Sequence, residues 1–164
     1  MVSDLAQYVS GLAGMLTARG ERLATAESCT GGWVAKVCTD LAGSSDWFER
    51  GFVTYSNESK RDMLGVSDET LKMFGAVSEQ TVLEMVSGAL ARSRAQWALA
   101  ISGIAGPAGG SPDKPVGSVW FAWAGPDDWR CSRLYRFDGD RDAVRSQAVA
   151  TALEVLVARC RELK

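Results

Sequence analysis

Trp97-Ala-Leu-Ala-Ile-Ser-Gly-Ile-Ala-Gly-Pro-Ala-Gly109 is the stretch that decides the fold. Residues 97–102 form a nearly all-apolar run, the mark of a central strand covered on both faces. Such a strand needs helices above and below its sheet. Directly after it the chain becomes glycine- and proline-rich, and it stays so through Pro115. Open α/β sheets bind ligands outside the carboxyl ends of their strands. The loop over 103–110 is therefore expected at a binding cleft, provided its strand runs parallel to the first one.

Working outward, Leu5, Val9, Leu12 and Leu16 recur at helical spacing and predict a first helix that stops at Gly20. A short strand over 22–26 follows. Ser28-Cys-Thr-Gly-Gly32 then makes a tight turn into a second helix, with Val34, Val37 and Leu41 facing inward. Phe52, Val53 and Tyr55 predict a strand over 51–56. Asn57 is read as the N-cap of a short helix holding Lys60, Met63 and Leu64 and ending at Gly65. Ser67 and Ser78 are the next two caps, and the second opens a helix burying Val82, Met85, Val86, Ala89 and Leu90. Past the glycine loop, 116–124 and 130–137 form a hairpin around Gly125 and Pro126. A last helix over 141–163 carries Val149, Leu153, Leu156, Cys160 and Leu163 on one stripe. Five strands interleaved with helices predict an α/β protein, a three-layer α/β/α sandwich. The hairpin makes the five-stranded sheet mixed, because a short turn joins only antiparallel neighbours.

The 164 residues fit one domain, 1–164, large enough to bury a core without disulfides or metals. Apolar residues at 46% and charged residues at 23% exclude a disordered chain. The net charge of −2 gives no support to a nucleic-acid or anionic-membrane partner. No apolar run is long enough to span a bilayer, and Met1-Val-Ser-Asp-Leu-Ala-Gln7 lacks the features of a secretory leader, so a cytoplasmic location is expected. The chain contains no histidine. That excludes Ser-His-Asp and Cys-His nucleophile systems and imidazole-based zinc sites. Cys29, Cys38, Cys131 and Cys160 include no CxxC pair, so no thiolate metal site is expected. Any general base must be Lys, Tyr, Asp or Glu.

Three places carry candidate chemistry. Ser28 stands where a strand gives way to a helix, and the backbone N–H groups of Thr30, Gly31 and Gly32 beside it suit an anion or a developing oxyanion. The alternative is a serine N-cap with glycines that allow close packing. Tyr55 and Lys60 leave a strand-to-helix corner five residues apart, and with histidine absent Lys60 is the reasonable base for Ser28. Its alternative is a solvated lysine. The loop with Ser102, Gly103, Ile104, Ala105, Gly106, Gly109 and Gly110 resembles an anion cradle, though it has neither the P-loop nor the dinucleotide-binding pattern. It is otherwise a mobile connection. Cys29 is a second candidate nucleophile, since a thiolate at a helix N-terminus has a depressed pKa, and it would need Glu27 and Lys60 as partners. The arginines at 130, 133, 136, 141 and 145 read as a solvated face, from which Arg145 has the reach to meet an anion.

Together, Ala24-Thr-Ala-Glu-Ser-Cys-Thr-Gly-Gly32, Gly51-Phe-Val-Thr-Tyr-Ser-Asn-Glu-Ser-Lys60 and Ile101-Ser-Gly-Ile-Ala-Gly-Pro-Ala-Gly-Gly110 resemble the CinA C-terminal domain family. The resemblance runs from the first helix to the last. Its stand-alone bacterial members are nicotinamide-nucleotide amidases. The resemblance implies hydrolysis of nicotinamide mononucleotide to nicotinate mononucleotide and ammonia, in pyridine-nucleotide recycling. It places the family's catalytic Ser, Tyr and Lys on Ser28, Tyr55 and Lys60, and implies the same three-layer sandwich. Ser28 would attack the carboxamide, Lys60 would take its proton, and Tyr55 would orient Lys60 or relay the proton. The turn at Thr30, Gly31 and Gly32, or the glycine loop, would hold the oxyanion. The loop and Arg145 would hold the phosphate. The expected partners are a small-molecule nucleotide substrate and further copies of the chain, a dimer being favoured. Neither nucleic acid nor membrane is expected, and the scheme requires no cofactor and no metal. Ala108 departs from the glycine common at its place in the family, and a left-handed backbone there would be strained. The other class of function is a nucleotide-binding module that does no chemistry.

Overall fold

The computed structural model describes residues 2–163. Its elements run α1 (Val2–Arg19), β1 (Leu23–Glu27), α2 (Trp33–Thr39), a single 3₁₀ turn (Ser44–Asp46), β2 (Phe48–Val53), α3 (Asn57–Leu64), α4 (Asp68–Phe74), α5 (Glu79–Ala91), β3 (Trp97–Gly103), β4 (Ser118–Gly125), β5 (Trp129–Arg136) and α6 (Arg141–Glu162). The five strands form one mixed sheet in the order β2-β1-β3-β4-β5. β1 is parallel to both β2 and β3, while β4 is antiparallel to β3 and to β5. β3 is thus the central strand, buried along its length up to Ser102. Helices cover both faces, and the α/β sandwich expected from the sequence is the one found.

Strand alternation divides the core in two. Leu23, Trp97, Leu99, Ile101, Phe121 and Trp123 point toward α1, α2 and α6, where Leu12, Leu16, Val34, Val149, Leu153 and Leu156 meet them. Phe121 and Trp123 stack at 5.4 Å, and the Trp123 indole N–H donates to the Ala152 carbonyl at 2.9 Å. The opposite face is nearly bare. Ala24, Ala26, Ala98, Ala100, Ala122 and Ala124 present only methyl groups to α5, which answers with Val82, Met85, Val86 and Ala89. Small side chains bring α5 close to the sheet, and α5 in turn meets the end of α3. At that contact a Cβ on Gly88 would lie 1.9 Å from the Leu64 carbonyl oxygen.

Helix starts follow local chemistry. Ser67 and Ser78 accept N–H bonds from Thr70 and Thr81, as their positions predict. At α3 the cap is Ser56, which accepts from the Ser59 N–H, rather than Asn57, already inside the helix. Gly65 ends α3 with φ +72°, a left-handed cap. Two inward assignments shift. Leu41 lies beyond the end of α2 and is exposed, and Val37 is half-buried. β2 runs Phe48–Val53, three residues earlier at both ends than the predicted 51–56, and its first residues include Glu49 and Arg50 on an edge strand with no alternation to read. Among the described residues no helix is long and apolar enough to cross a membrane.

Candidate active site

The carboxyl ends of β1, β2 and β3 converge, and backbone bonds extend the sheet one residue further. Ser28 N–H donates to the Ile101 carbonyl at 3.0 Å, and Thr54 N–H donates to the Glu27 carbonyl at 2.8 Å. Ser28 is therefore fixed as though still in the strand, with its side chain on the alanine side of the sheet. On that side α3 delivers Lys60, whose Nζ lies 2.9 Å from Ser28 Oγ. The two residues are 32 apart in sequence, and the strand-to-helix corner after β2 brings them together.

Lys60 is almost fully buried, at 1% exposure. Burial, with no carboxylate to offset it, pushes the ammonium down from its ordinary value to about 8. Nζ also donates to the Thr54 carbonyl at 2.9 Å and the Tyr55 carbonyl at 3.3 Å. A neutral amine keeps its two N–H groups on those two carbonyls and turns its lone pair toward the Ser28 hydroxyl. That is the arrangement a general base requires.

Tyr55 serves this pair through its main chain. The side chain is 62% exposed, and its Oη accepts from Arg141 Nη2 at 3.2 Å. The other arm of Arg141, Nη1, donates to the Gly106 carbonyl at 2.8 Å. Arg141 thus joins the end of β2 to the glycine loop across a cleft of about 260 Å³. Ser28, Tyr55 and Lys60 line this cleft, together with Ser102, Gly103, Ile104, Ala105 and Gly106, as expected from the sequence. Ala76 and Val77, from the loop before α5, line it as well. The Ile104 N–H is already committed to the Ser118 carbonyl at 2.9 Å.

Several expected site residues lie elsewhere. Thr30, Gly31 and Gly32 do not line the cleft. The Thr30 hydroxyl donates to Glu27 at 2.7 Å, and the Gly31 N–H donates to the Ser28 carbonyl at 3.0 Å. Nor is Ser28 the N-cap of α2. The Glu27 carboxylate accepts from the N–H groups of Val34 at 2.8 Å and Ala35 at 3.1 Å, so it satisfies the helix start from the strand side. Arg145 is committed as well. Its Nε donates to the Cys29 carbonyl at 3.0 Å and Nη2 to the Thr30 carbonyl at 3.4 Å, with the guanidinium 5.6 Å over the Trp33 ring. It braces the turn from behind instead of facing the cleft. Gly109 and Gly110 turn the loop back with φ of +85° and +87° and leave the lining to Ala108. Ala108 is not among the left-handed residues, so its departure from glycine carries no backbone strain.

Cys29 lines the same cleft, but as a buried thiol. Burial pushes its thiol up to about 11, opposite to the activated thiolate that a helix N-terminus would favour. The sequence reading took Glu27 only as a partner for Cys29 and put Arg141 on a solvated face, so the helix-capping and cleft-bridging roles of the two escaped it. The signal for Arg141 was its place at the first turn of a helix opening on the same sheet edge. Among the described residues no group of three or more Cys, Asp or Glu side chains gathers as metal ligands.

Comparison with known proteins identifies the family. The family model described as the CinA C-terminal domain matches residues 5–160. The nicotinamide-nucleotide amidohydrolase PncC of Escherichia coli (strain K12) is 60% identical over 154 residues, 94% of this chain and 93% of that protein. The PncC of Pseudomonas putida is 53% identical over 136 residues, 83% of this chain and 84% of its own. The crystal structure of the competence/damage inducible protein CihA from Agrobacterium tumefaciens superposes with a TM-score of 0.92 at 49% identity, over 94% of each chain. With the family model matching residues 5–160 and relatives 60% and 53% identical over most of both chains, the chain belongs to the CinA C-terminal domain family.

Proposed function

We propose that this chain, acting as one domain over 1–164 in the cytoplasm, is a nicotinamide-nucleotide amidase. It converts nicotinamide mononucleotide and water to nicotinate mononucleotide and ammonia, as a step of pyridine-nucleotide recycling. The observation that carries the chemistry is the buried Lys60–Ser28 pair at 2.9 Å. The names of the PncC relatives support the substrate.

Neutral Lys60 takes the Ser28 proton as Oγ attacks the carboxamide carbon, forming a tetrahedral oxyanion. Backbone N–H groups of the residues that line the cleft would hold that oxyanion. Collapse breaks the C–N bond, and the proton on Lys60 passes to the leaving nitrogen, which departs as ammonia. Water, deprotonated by the same amine, then attacks the nicotinoyl ester and releases the acid with Ser28 restored. The Thr54 and Tyr55 carbonyls hold Nζ in line throughout, so the base needs no third side chain to orient it.

The test is ammonia release from nicotinamide mononucleotide by wild type and Ser28→Ala. Loss of several orders of magnitude in kcat with ligand binding kept is the expected result. Binding without turnover in the wild type refutes the amidase and leaves a binding module.

A further inference from the structure

We propose that Tyr55 acts as a specificity residue and not as a proton relay: its hydroxyl and the Arg141 guanidinium form a clamp at the cleft mouth that takes the anionic end of the substrate. The proposal rests on the amidase reading for the identity of that anion, a phosphate monoester.

Three observations point this way. First, the tyrosine hydroxyl is turned away from the chemistry. What reaches Lys60 and Ser28 is the Tyr55 carbonyl, which accepts from Nζ at 3.3 Å and from Ser28 Oγ at 3.4 Å, and every residue at position 55 supplies that carbonyl. The phenol stands in solvent beside a guanidinium, where its own proton is free to be donated outward.

Second, Lys60 and Arg141 are the cations that line the cleft, one buried against Ser28 and the other exposed at the rim. A substrate with a neutral amide at one end and a dianion at the other matches that polarity in one orientation. The amide carbon goes to Ser28 and the anion to Arg141.

Third, Arg141 is held but not neutralised. Its two bonds go to the uncharged acceptors Gly106 O and Tyr55 Oη, and none of the ion pairs among the described residues involves it. The adjacent Asp140 carboxylate accepts from the Ala143 N–H and caps α6. A guanidinium has five N–H donors, so most of the fork remains available to phosphate oxygens. Arg145, one helical turn further on, turns its guanidinium to the Cys29 and Thr30 carbonyls and over the Trp33 ring, and it does not line the cleft.

The clamp is tested with two substrates that differ only in the phosphate, nicotinamide mononucleotide and nicotinamide riboside. Wild type, Tyr55→Phe, Arg141→Met and the double variant are compared by kcat and KM, with folding checked by thermal melting. In each single variant the ratio of kcat/KM for nucleotide over riboside should fall at least about tenfold, and the double variant should fall little further, because the two groups act together. Tyr55→Phe lowering both substrates by one common factor overturns the proposal and returns the hydroxyl to the chemical step. An unchanged ratio in Arg141→Met overturns it as well. Calorimetry with ribose 5-phosphate judges the clamp without turnover. Binding by wild type that weakens at least about tenfold in Arg141→Met supports it, and equal binding refutes it. If the wild type fails to hydrolyse nicotinamide mononucleotide, the amidase reading falls, while the calorimetric result still decides the clamp.

Discussion

Replacing Lys60 by methionine should change how stability depends on pH, by an amount the structure fixes. The folded amine titrates near 8, against an ordinary value of 10.5 in the unfolded chain. Between those two values the unfolded state binds one more proton than the folded state, so wild-type stability rises with pH across that window. Below pH 8 both states hold the proton, and the folded state bears the whole cost of a buried cation, on the order of 3 kcal/mol. At 1% exposure solvent screening offers little relief. Methionine removes the cation. It also removes the bonds to Ser28, Thr54 and Tyr55, at about 1 kcal/mol each, but that loss is present at every pH and cancels in the comparison. The wild type should therefore gain about 2.5 kcal/mol on the variant between pH 7 and pH 10. Urea unfolding of both proteins at pH 7, 8, 9 and 10 measures this difference. Two curves that stay parallel would show that Lys60 is solvated in the fold and that its neutral form is not prepared by burial.

The same shift sets the rate profile: kcat/KM should rise with pH through an apparent pKa near 8 and then level, and Lys60→Arg, which keeps a charge that does not dissociate, should lose nearly all activity at every pH. Cys29→Ser should retain most of its activity, and iodoacetamide should inactivate slowly at pH 7 because the thiol is held up to about 11; rapid stoichiometric inactivation at Cys29, tracked by mass spectrometry, would contradict the burial argument. Glu27→Ala strands the Val34 and Ala35 N–H groups and the Thr30 hydroxyl, so it should cost about 3 kcal/mol or more in urea unfolding, with Glu27→Gln milder. Gly88→Ala drives a methyl into the Leu64 carbonyl and should lower the unfolding midpoint well beyond the few tenths of a kcal/mol typical of a surface change.

Much of this was legible in the sequence because it is locally encoded. The apolar run at 97–102, the cap serines at 67 and 78, and the glycine at 65 each depend on neighbours within a few residues. Ser28 and Lys60 could be paired because one follows the end of β1 and the other lies on the short helix after β2, two parallel strands whose ends share an edge, and because the absence of histidine left few bases to choose from. What escaped was decided across the chain. Glu27 caps a helix that begins six residues later, so no cap pattern marks it. Arg141 and Arg145 share one helix face, and only the positions of the Cys29 carbonyl and the Gly106 carbonyl determine which guanidinium is left to face the cleft. Tyr55 was read by its side chain, whereas the pair at Lys60 is served by its carbonyl. The start of β2 was missed because an exposed edge strand carrying Glu49 and Arg50 shows no alternation to read.

The alanine face beneath α5 has a consequence for the pH at which this cleft works. Six methyl groups set how closely α5 settles on the sheet, and α5 packs against the helix that carries Lys60. Desolvation is the main cause of the low pKa of that amine, so each methylene added under α5 would lift the helices and let water back toward Nζ. A valine at Ala100 would then carry the base part of the way back to an ordinary lysine and move the working range toward alkali, without altering any group that meets substrate. Proton affinity at Lys60 is in this sense set by side-chain volume at six positions that never meet substrate.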